Sequence, residues 1–160
     1  MVRSAEPTVT LAGGRAVGWR EWISLPSLGV KAVKAKVDTG ARSSCLHAYD
    51  LREVRRHGQV WLVFKVHPLQ RNDRHIVECE AQLLEYRQVT SSNGRREVRP
   101  VIRTDIELGD LRWQIELTLT RRDAMGFRML LGREAIRGRF MVDPGRSFLA
   151  SRQHAGRGAP

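Results

Sequence analysis

The sequence lacks the features of several large protein classes. It has two cysteines, Cys45 and Cys79, which are too few for a disulfide framework or a four-cysteine zinc site. No apolar run approaches the roughly 20 residues of a transmembrane helix, and no apolar signal-peptide core follows the N-terminus. The Gly-Lys pair of an ATP-binding P-loop and the His-Glu-x-x-His motif of common zinc peptidases are both missing. We therefore expect a cytoplasmic protein with no membrane span, no metal and no cofactor.

Positive charge, in contrast, is in excess. Lys and Arg number 28 against 17 Asp and Glu, which gives a net charge of +11 and a pI near 11.1. Such a balance favours an anionic partner: nucleic acid, ribosomes, anionic lipid or an acidic peptide. Arginine dominates the basic set, and its planar guanidinium binds carboxylate or phosphate through two parallel hydrogen bonds. Charge alone does not choose among these partners.

The chain is organised as one domain between two tails. Residues 1–14 contain Pro7 and the pair Gly13-Gly14 without sustained periodicity, and residues 151–160 are small, polar and basic. Both segments are typical of flexible tails. The intervening residues 15–150 are numerous enough to bury a core.

Alternating apolar and polar residues predict β-strands through most of this domain. Residues 111–119 and 102–108 alternate with a period of two, and Gly109-Asp110 joins them as a hairpin turn. Further predicted strands are residues 19–25, 32–37, 60–66, 76–86 and 140–142, with a turn at 26–29 and one short helix at 133–139. Many short strands separated by turns predict an all-β fold, a closed or nearly closed β-barrel with one short helix near the C-terminus.

Two short segments carry the chemistry. Asp38-Thr39-Gly40 follows a predicted strand, so its carboxylate would lie on a tight turn where glycine permits close backbone approach. Alone, the triplet is also consistent with an ordinary turn, because Asp-x-Gly is common in turns. The second segment, residues 129–133, ends in Leu-Leu-Gly-Arg about ninety residues later and precedes the predicted helix.

Together these segments resemble the retropepsins. In those aspartic peptidases an Asp-Thr-Gly-Ala loop is followed by a flap hairpin, two apolar residues, Gly-Arg, a short helix and a closing strand. The chain is more similar still to a bacterial retropepsin-like group formerly labelled ATP-dependent zinc protease. The matching stretches are residues 18–22, 34–44, 64–70, 89–94, 126–133 and 138–145. The resemblance covers about residues 17–149 and implies a closed barrel of the acid-protease type.

The resemblance also implies roles for single residues. Asp38 would be the catalytic acid, Thr39 would lock paired loops through its hydroxyl, and Gly40 would let substrate lie close. The substrate-binding residues it implies are Ala41, Arg42, Ser92, Asn93 and Gly94. The last three belong to the turn 91–94 of a hairpin over residues 87–98, in the position of the flap; a surface hairpin without a lid role is the alternative. Gly132 and Arg133 would support the loop from beneath.

Arg42 marks a departure from the retropepsin pattern. Many retropepsins carry acids just after the loop, where they pair with the arginine of Gly-Arg. Here Arg42 and Ser43 stand instead, so the usual partner of Arg133 is missing and an acidic binding rim becomes basic.

The partners implied by the resemblance are a second copy, an acidic protein and a ligase. Aspartic peptidases need two carboxylates sharing a proton, and this chain has one Asp-Thr-Gly and is too short for two lobes. The second acid would be Asp38 of another copy in a homodimer. The bacterial group is associated with ATP-grasp ligases that add glutamates to a ribosomal protein, so a poly-glutamate-modified substrate is implied.

Two other functions stay open at this point. A non-catalytic module could bind acidic peptide, the ribosome or RNA through the basic surface. A metallopeptidase could assemble a site from Cys45 and His47 with the scattered His67, His75 and Cys79, although such residues are more often packed or exposed singly.

Overall fold

The structure, a computed structural model, describes residues 15–69, 74–91, 93–121 and 126–151. Ser92, the predicted tail 1–14 and residues 152–160 of the other predicted tail lie outside the described residues. The strands are β1 (Ala16–Val17), β2 (Arg20–Leu25), β3 (Val30–Asp38), β4 (Ser44–His47), β5 (Tyr49–Arg56), β6 (Gln59–Val66), β7 (Val77–Thr90), β8 (Arg96–Leu108), β9 (Leu111–Thr120), β10 (Met129–Gly132) and β11 (Met141–Val142). A 3-10 turn covers Pro26–Leu28, and the α-helix α1 covers Arg133–Ile136.

Nine strands form one sheet in the order β2-β3-β10-β4-β9-β8-β7-β6-β5. The first strand, β2, also pairs with β8 where Ser24 lies opposite Glu107, so six strands form a ring. Strands β1 and β11 make a separate parallel pair. The prediction of a mostly β fold is confirmed, and the part of the chain that the structure describes has one short α-helix, near its C-terminal end. Because β2 and β8 are joined at a single residue pair, the ring is not a barrel with continuous pairing between all neighbouring strands.

Residues 148–151 form hydrogen bonds with residues 20–22 of β2, away from the point where β2 pairs with β8. The backbone N–H of Phe148 donates to the carbonyl of Arg20 on β2 at 3.0 Å. Glu21 is fully buried, and its carboxylate accepts from the backbone of Leu149 (2.9 Å) and from the backbone and hydroxyl of Ser151 (3.0 and 2.6 Å). A buried carboxylate is tolerated where hydrogen bonds satisfy it. Ser151, which we placed in the tail, is therefore buried in the fold.

The predicted strands are present with shifted ends. The strand predicted at residues 111–119 is β9, and Leu108 pairs with Leu111 across the predicted turn. In contrast, β5 was not predicted, because it lies at the edge of the sheet and alternates little, exposing charged residues along most of its length. The helix predicted at residues 133–139 is shorter, since Arg137 leaves helical geometry and Gly138 has a φ of +77°.

Strand β3 positions the Asp-Thr-Gly loop. Its residues Val33, Ala35 and Val37 are buried in the core, so Asp38 emerges on the opposite face at the strand's last position. On one side β3 runs parallel to β10, with Gly132 in register with Asp38. The two segments that the sequence separates by about ninety residues are therefore neighbours. No helix within the described residues is long and apolar enough to cross a membrane.

Candidate active site

The Asp38 carboxylate is half-buried and folds back on its own turn. Its Oδ1 accepts a hydrogen bond from the backbone N–H of Gly40 at 3.0 Å, and its backbone carbonyl accepts from Ala41 at 3.2 Å. An aspartate that bonds the backbone two residues on is a common way to hold a tight turn. The turn directs Thr39 and Gly40 toward the surface, where both are exposed.

Gly132 lies directly against this loop. A Cβ atom at position 132 would lie 2.5 Å from the carbonyl oxygen of Ser43 and 3.0 Å from that of Ala41. These distances are too short for any side chain, so the packing requires glycine here. The backbone N–H of Gly132 also donates to the buried hydroxyl of Ser44 at 3.0 Å.

The start of α1 completes the support of the loop. The first backbone N–H groups of a helix have no partner within the helix. Here Arg133 donates to the carbonyl of Ala41 at 2.8 Å and Glu134 to that of Arg42 at 3.2 Å. The guanidinium Nη1 of Arg133 lies 3.3 Å from the carbonyl oxygen of Gly40. Arg133 thus contacts loop carbonyls, where retropepsins with acids after the loop would supply carboxylates.

Ser44 is a supporting residue that sequence reasoning missed. It is buried, and its carbonyl accepts from the hydroxyl of Thr118 on β9 at 3.2 Å while its own hydroxyl accepts from Gly132. It therefore connects β4 to both β9 and β10. The only signal in the sequence was a run of small residues after the triplet, which does not distinguish Ser44 from its neighbours.

A cavity of about 1030 Å³ opens beside the loop. Of the predicted site residues, Asp38, Ala41, Arg42 and Asn93 line it. Its wall does not include Thr39, Gly40, Gly94, Gly132 or Arg133. The structure thus brings the loop and the turn of the predicted flap hairpin to one cavity, and places the supporting residues behind the loop.

The hairpin over the cavity is the distal part of β7 and β8. Its last ladder pair is Thr90 with Arg96, and the turn between them is closed by a 2.8 Å hydrogen bond from Ser91 N–H to the carbonyl of Arg95. Gly94 has a φ of +83°, a conformation that glycine adopts without strain. The side chain of Asn93 accepts from the backbone of Arg95 at 3.2 Å. Residues 88–91 and Asn93 face the cavity.

Arginine side chains are in slight excess over acidic ones in the cavity wall. The arginines of the described chain that line it are Arg42, Arg87, Arg99 and Arg139, and the acids are Asp38, Glu116 and Glu134. Arg87 and Arg99 lie directly opposite each other on the hairpin. Sequence reasoning missed this pair, because a two-residue Asn93-Gly94 turn predicts Arg87 opposite Pro100, whereas the observed ladder pairs Thr90 with Arg96 and so differs by one residue.

The two cysteines are free and buried. Burial raises the pKa of the Cys45 thiol, which lines the cavity, and the neighbouring Arg99 opposes that rise. Burial alone raises the pKa of Cys79 to about 12. Both thiols are therefore protonated at neutral pH. Among the described residues no three His, Cys, Asp or Glu side chains group closely enough to hold a metal ion.

Most of the chain matches a known protein family. A profile of the family described as RimB-like, retropepsin-like aspartic endopeptidase RimB, matches residues 16–153. A probable alpha-L-glutamate ligase from Shewanella halifaxensis is 47% identical over 138 residues, which cover 86% of this chain and 30% of that protein. A protein of the same description from Parasynechococcus marenigrum is 52% identical over 128 residues, covering 80% of this chain and 28% of that protein.

A solved structure has the same fold. The crystal structure of Lpg0085 from Legionella pneumophila, a protein of unknown function, aligns with a TM-score of 0.70 and 29% identity. The alignment covers 87% of this chain and all of that one. The curated ligases, in contrast, are much longer than the matched region, since the chain spans less than a third of their length.

Proposed function

We propose that this chain, which belongs to the RimB-like family of retropepsin-like aspartic endopeptidases, hydrolyses peptide bonds with Asp38 as its catalytic residue. One observation carries the proposal. The Asp38 carboxylate lies at the edge of a cavity large enough for a peptide, on a loop held by the backbone of Gly132, Arg133 and Glu134. In this proposal the ring of strands is the barrel of one acid-protease lobe.

The second carboxylate comes from the partner copy in this proposal. Two carboxylates a few ångströms apart cannot both ionise at low cost, so one proton is shared between them. The ionised one takes a proton from a water, whose oxygen attacks the scissile carbonyl carbon. The protonated one donates to the carbonyl oxygen. The carboxyl that took the proton from water donates it to the amine nitrogen as the C–N bond breaks, and a hydroxyl of the tetrahedral intermediate returns its proton to the other carboxylate, so that the dyad again holds one proton.

An acidic substrate is the natural partner for this cavity. Arginines line it, and the whole chain carries a charge of +11. The relatives described as alpha-L-glutamate ligases contain a region similar to this chain within a longer protein. We infer that the chain acts on a protein carrying a poly-glutamate tail, in the same cytoplasmic setting as a glutamate ligase. The net positive charge of the chain would then attract the substrate at long range.

The first test replaces the catalytic carboxylate. Asp38→Asn preserves the shape of the side chain and removes its ability to accept a proton. We expect cleavage of a protein with a poly-glutamate tail, followed by mass spectrometry, to fall by about 10²- to 10⁴-fold or more. Asp110→Asn is the matched control, because Asp110 is an exposed aspartate paired with Arg15 outside the cavity. A folded Asp38→Asn protein that still cleaves would favour the non-catalytic binding module and refute the peptidase.

The second test examines the shared site by mixing copies. After exchange with a ninefold excess of Asp38→Asn chains, only about one tenth of wild-type chains would pair with another wild-type chain. Activity per wild-type chain should therefore fall about tenfold. Excess Asp110→Asn chains, which are themselves active, should leave the activity per active chain unchanged. Full activity in the first mixture would show that each chain works alone.

A further inference from the structure

The arginines that line the cavity differ in whether they already have a carboxylate partner. Those with one are Arg42 with Glu134 (3.9 Å), Arg87 with Glu116 (2.9 Å) and Arg99 with Glu97 (2.9 Å). A guanidinium that is already paired must share or break its ion pair to bind another carboxylate, so it gains less from a ligand. These three arginines are therefore poorly suited to bind a carboxylate of the substrate.

Arg139 is the exception in the cavity wall. It forms no ion pair with a carboxylate among residues 15–69, 74–91, 93–121 and 126–151. Its guanidinium carbon lies 5.4 Å from the centre of the Trp113 ring, and its Nη1 donates to the carbonyl of Arg137 over a long 3.4 Å. A guanidinium over an aromatic ring is attracted to the ring face and can still donate N–H hydrogen bonds to an acceptor. Arg139 is also half-buried, where water screens a charge less than at the surface.

The wall that carries Arg139 is connected to the Asp38 loop. Arg139 follows α1, whose first two residues donate backbone hydrogen bonds to that loop. The next residue, Phe140, is buried and packs against Trp113 with ring centres 5.6 Å apart. The guanidinium is therefore held in a defined place relative to the catalytic carboxylate. A peptide whose scissile bond lies at Asp38 would present a side chain to this wall.

We propose that Arg139, oriented by Trp113, binds a carboxylate side chain of the substrate and so selects acidic peptides. This role rests on the peptidase function proposed above and identifies the residue that determines its specificity. The other arginines of the cavity, which are paired, support the fold of the hairpin and the loop. Arg139 takes no part in proton transfer.

The experiment compares two neighbouring arginines on two peptides. Arg139→Ala is compared with Arg137→Ala, because Arg137 lies two residues away, is exposed, pairs with Glu134 at 3.5 Å and does not line the cavity. The peptides carry a glutamate tail or the same tail with glutamines. For the glutamate peptide, Arg139→Ala should raise KM by about tenfold or more with kcat within about twofold. For the glutamine peptide it should change neither, and Arg139→Lys should recover part of the loss.

The outcomes separate the two proposals. If wild type cleaves the glutamate peptide but Arg139→Ala behaves like Arg137→Ala, the role of Arg139 is refuted while the peptidase stands. A loss of kcat on both peptides also refutes it, because a structural role would affect both substrates.

If wild type cleaves neither peptide, the proposed function fails. In that case, binding of a labelled glutamate peptide to Asp38→Asn protein, with and without Arg139→Ala, still measures the carboxylate site. Binding unaffected by Arg139→Ala refutes that site as well.

Discussion

The Asp38 loop and the hairpin of β7 and β8 face the same cavity but are held in different ways. The loop receives backbone hydrogen bonds from Arg133 and Glu134, residues more than ninety positions away in sequence. In contrast, the end of the hairpin is held by bonds between its own strands and within its own turn. Val98, on the β8 strand of this hairpin, is 66% exposed.

This difference indicates that the Asp38 loop is rigid and that the hairpin of β7 and β8 has a lower local stability. Segments with few buried contacts open locally at a lower free energy than those held by distant parts of the core. A catalytic group benefits from a rigid position, whereas a cover over the substrate must let peptide in and product out. Substitutions in the Asp38 loop and in the residues that hold it should therefore cost more stability than equivalent changes in the hairpin.

The largest effect in this comparison is expected at Gly132. Gly132→Ala adds a Cβ 2.5 Å from the Ser43 carbonyl oxygen, so the loop must shift. Overpacking of this kind costs roughly 1–3 kcal/mol, and we expect urea unfolding to show that loss together with reduced cleavage. The control is Gly145→Ala, where the backbone is not left-handed and a Cβ would make only an ordinary 3.5 Å contact with the Asp143 carboxylate. If Gly132→Ala were no less stable than wild type, the loop would be more adaptable than its packing indicates.

A smaller effect is expected at the turn of the hairpin. Gly94 has a φ of +83° and open space around it, so Gly94→Ala is strained by its backbone alone, at about 1 kcal/mol. Gly58, with a φ of +77° in the hairpin between β5 and β6, is the matched control. Both variants should lose similar stability in thermal unfolding, but only Gly94→Ala should alter KM or kcat. Equal activity in the two variants would mean that the hairpin has no lid role.

The smallest effect is expected at the ion pair between the hairpin and β9. Arg87 and Glu116 lie 2.9 Å apart, with Glu116 43% exposed. Such pairs contribute about 0–1 kcal/mol, and salt screens them. Glu116→Gln should therefore change stability by less than about 1 kcal/mol, and the change should shrink at high salt. Asp105→Asn, which removes a similar pair with Arg112 outside the cavity, is the control. A larger loss of stability that does not depend on salt would show that the hairpin is held as firmly as the Asp38 loop.

Strong local patterns predicted much of the fold. The strict alternation of residues 111–119 predicted β9 almost to its ends, and Gly109-Asp110 predicted the turn that joins it to β8. The hairpin around Asn93-Gly94 was predicted by its turn residues. Where the pattern was weak, the prediction failed. Strand β5 is charged and lies at the sheet edge, so its residues show little of the burial that alternation reflects.

The site was predicted less completely than the fold. Asp38 and Gly132 were singled out by their motifs, and the structure places them in register on adjacent strands. Ser44 and Arg139 were not, because nothing in their immediate neighbourhood distinguishes them from other serines and arginines. Their positions depend on which strands become neighbours, and that depends on contacts between residues far apart in sequence.

By itself, the sequence determined the chemistry available to this protein: one Asp-Thr-Gly, one Leu-Leu-Gly-Arg, an excess of arginine and an alternation that requires strands. These features follow from residue type and from spacings of a few residues, which constrain the backbone locally. Only the tertiary structure decided that Gly132 must lack a side chain, that Glu21 is buried, and that Arg139 is unpaired among the described residues of the cavity wall. Burial, close approach and pairing are properties of neighbours in space, and the curvature and register of the ring of strands choose those neighbours.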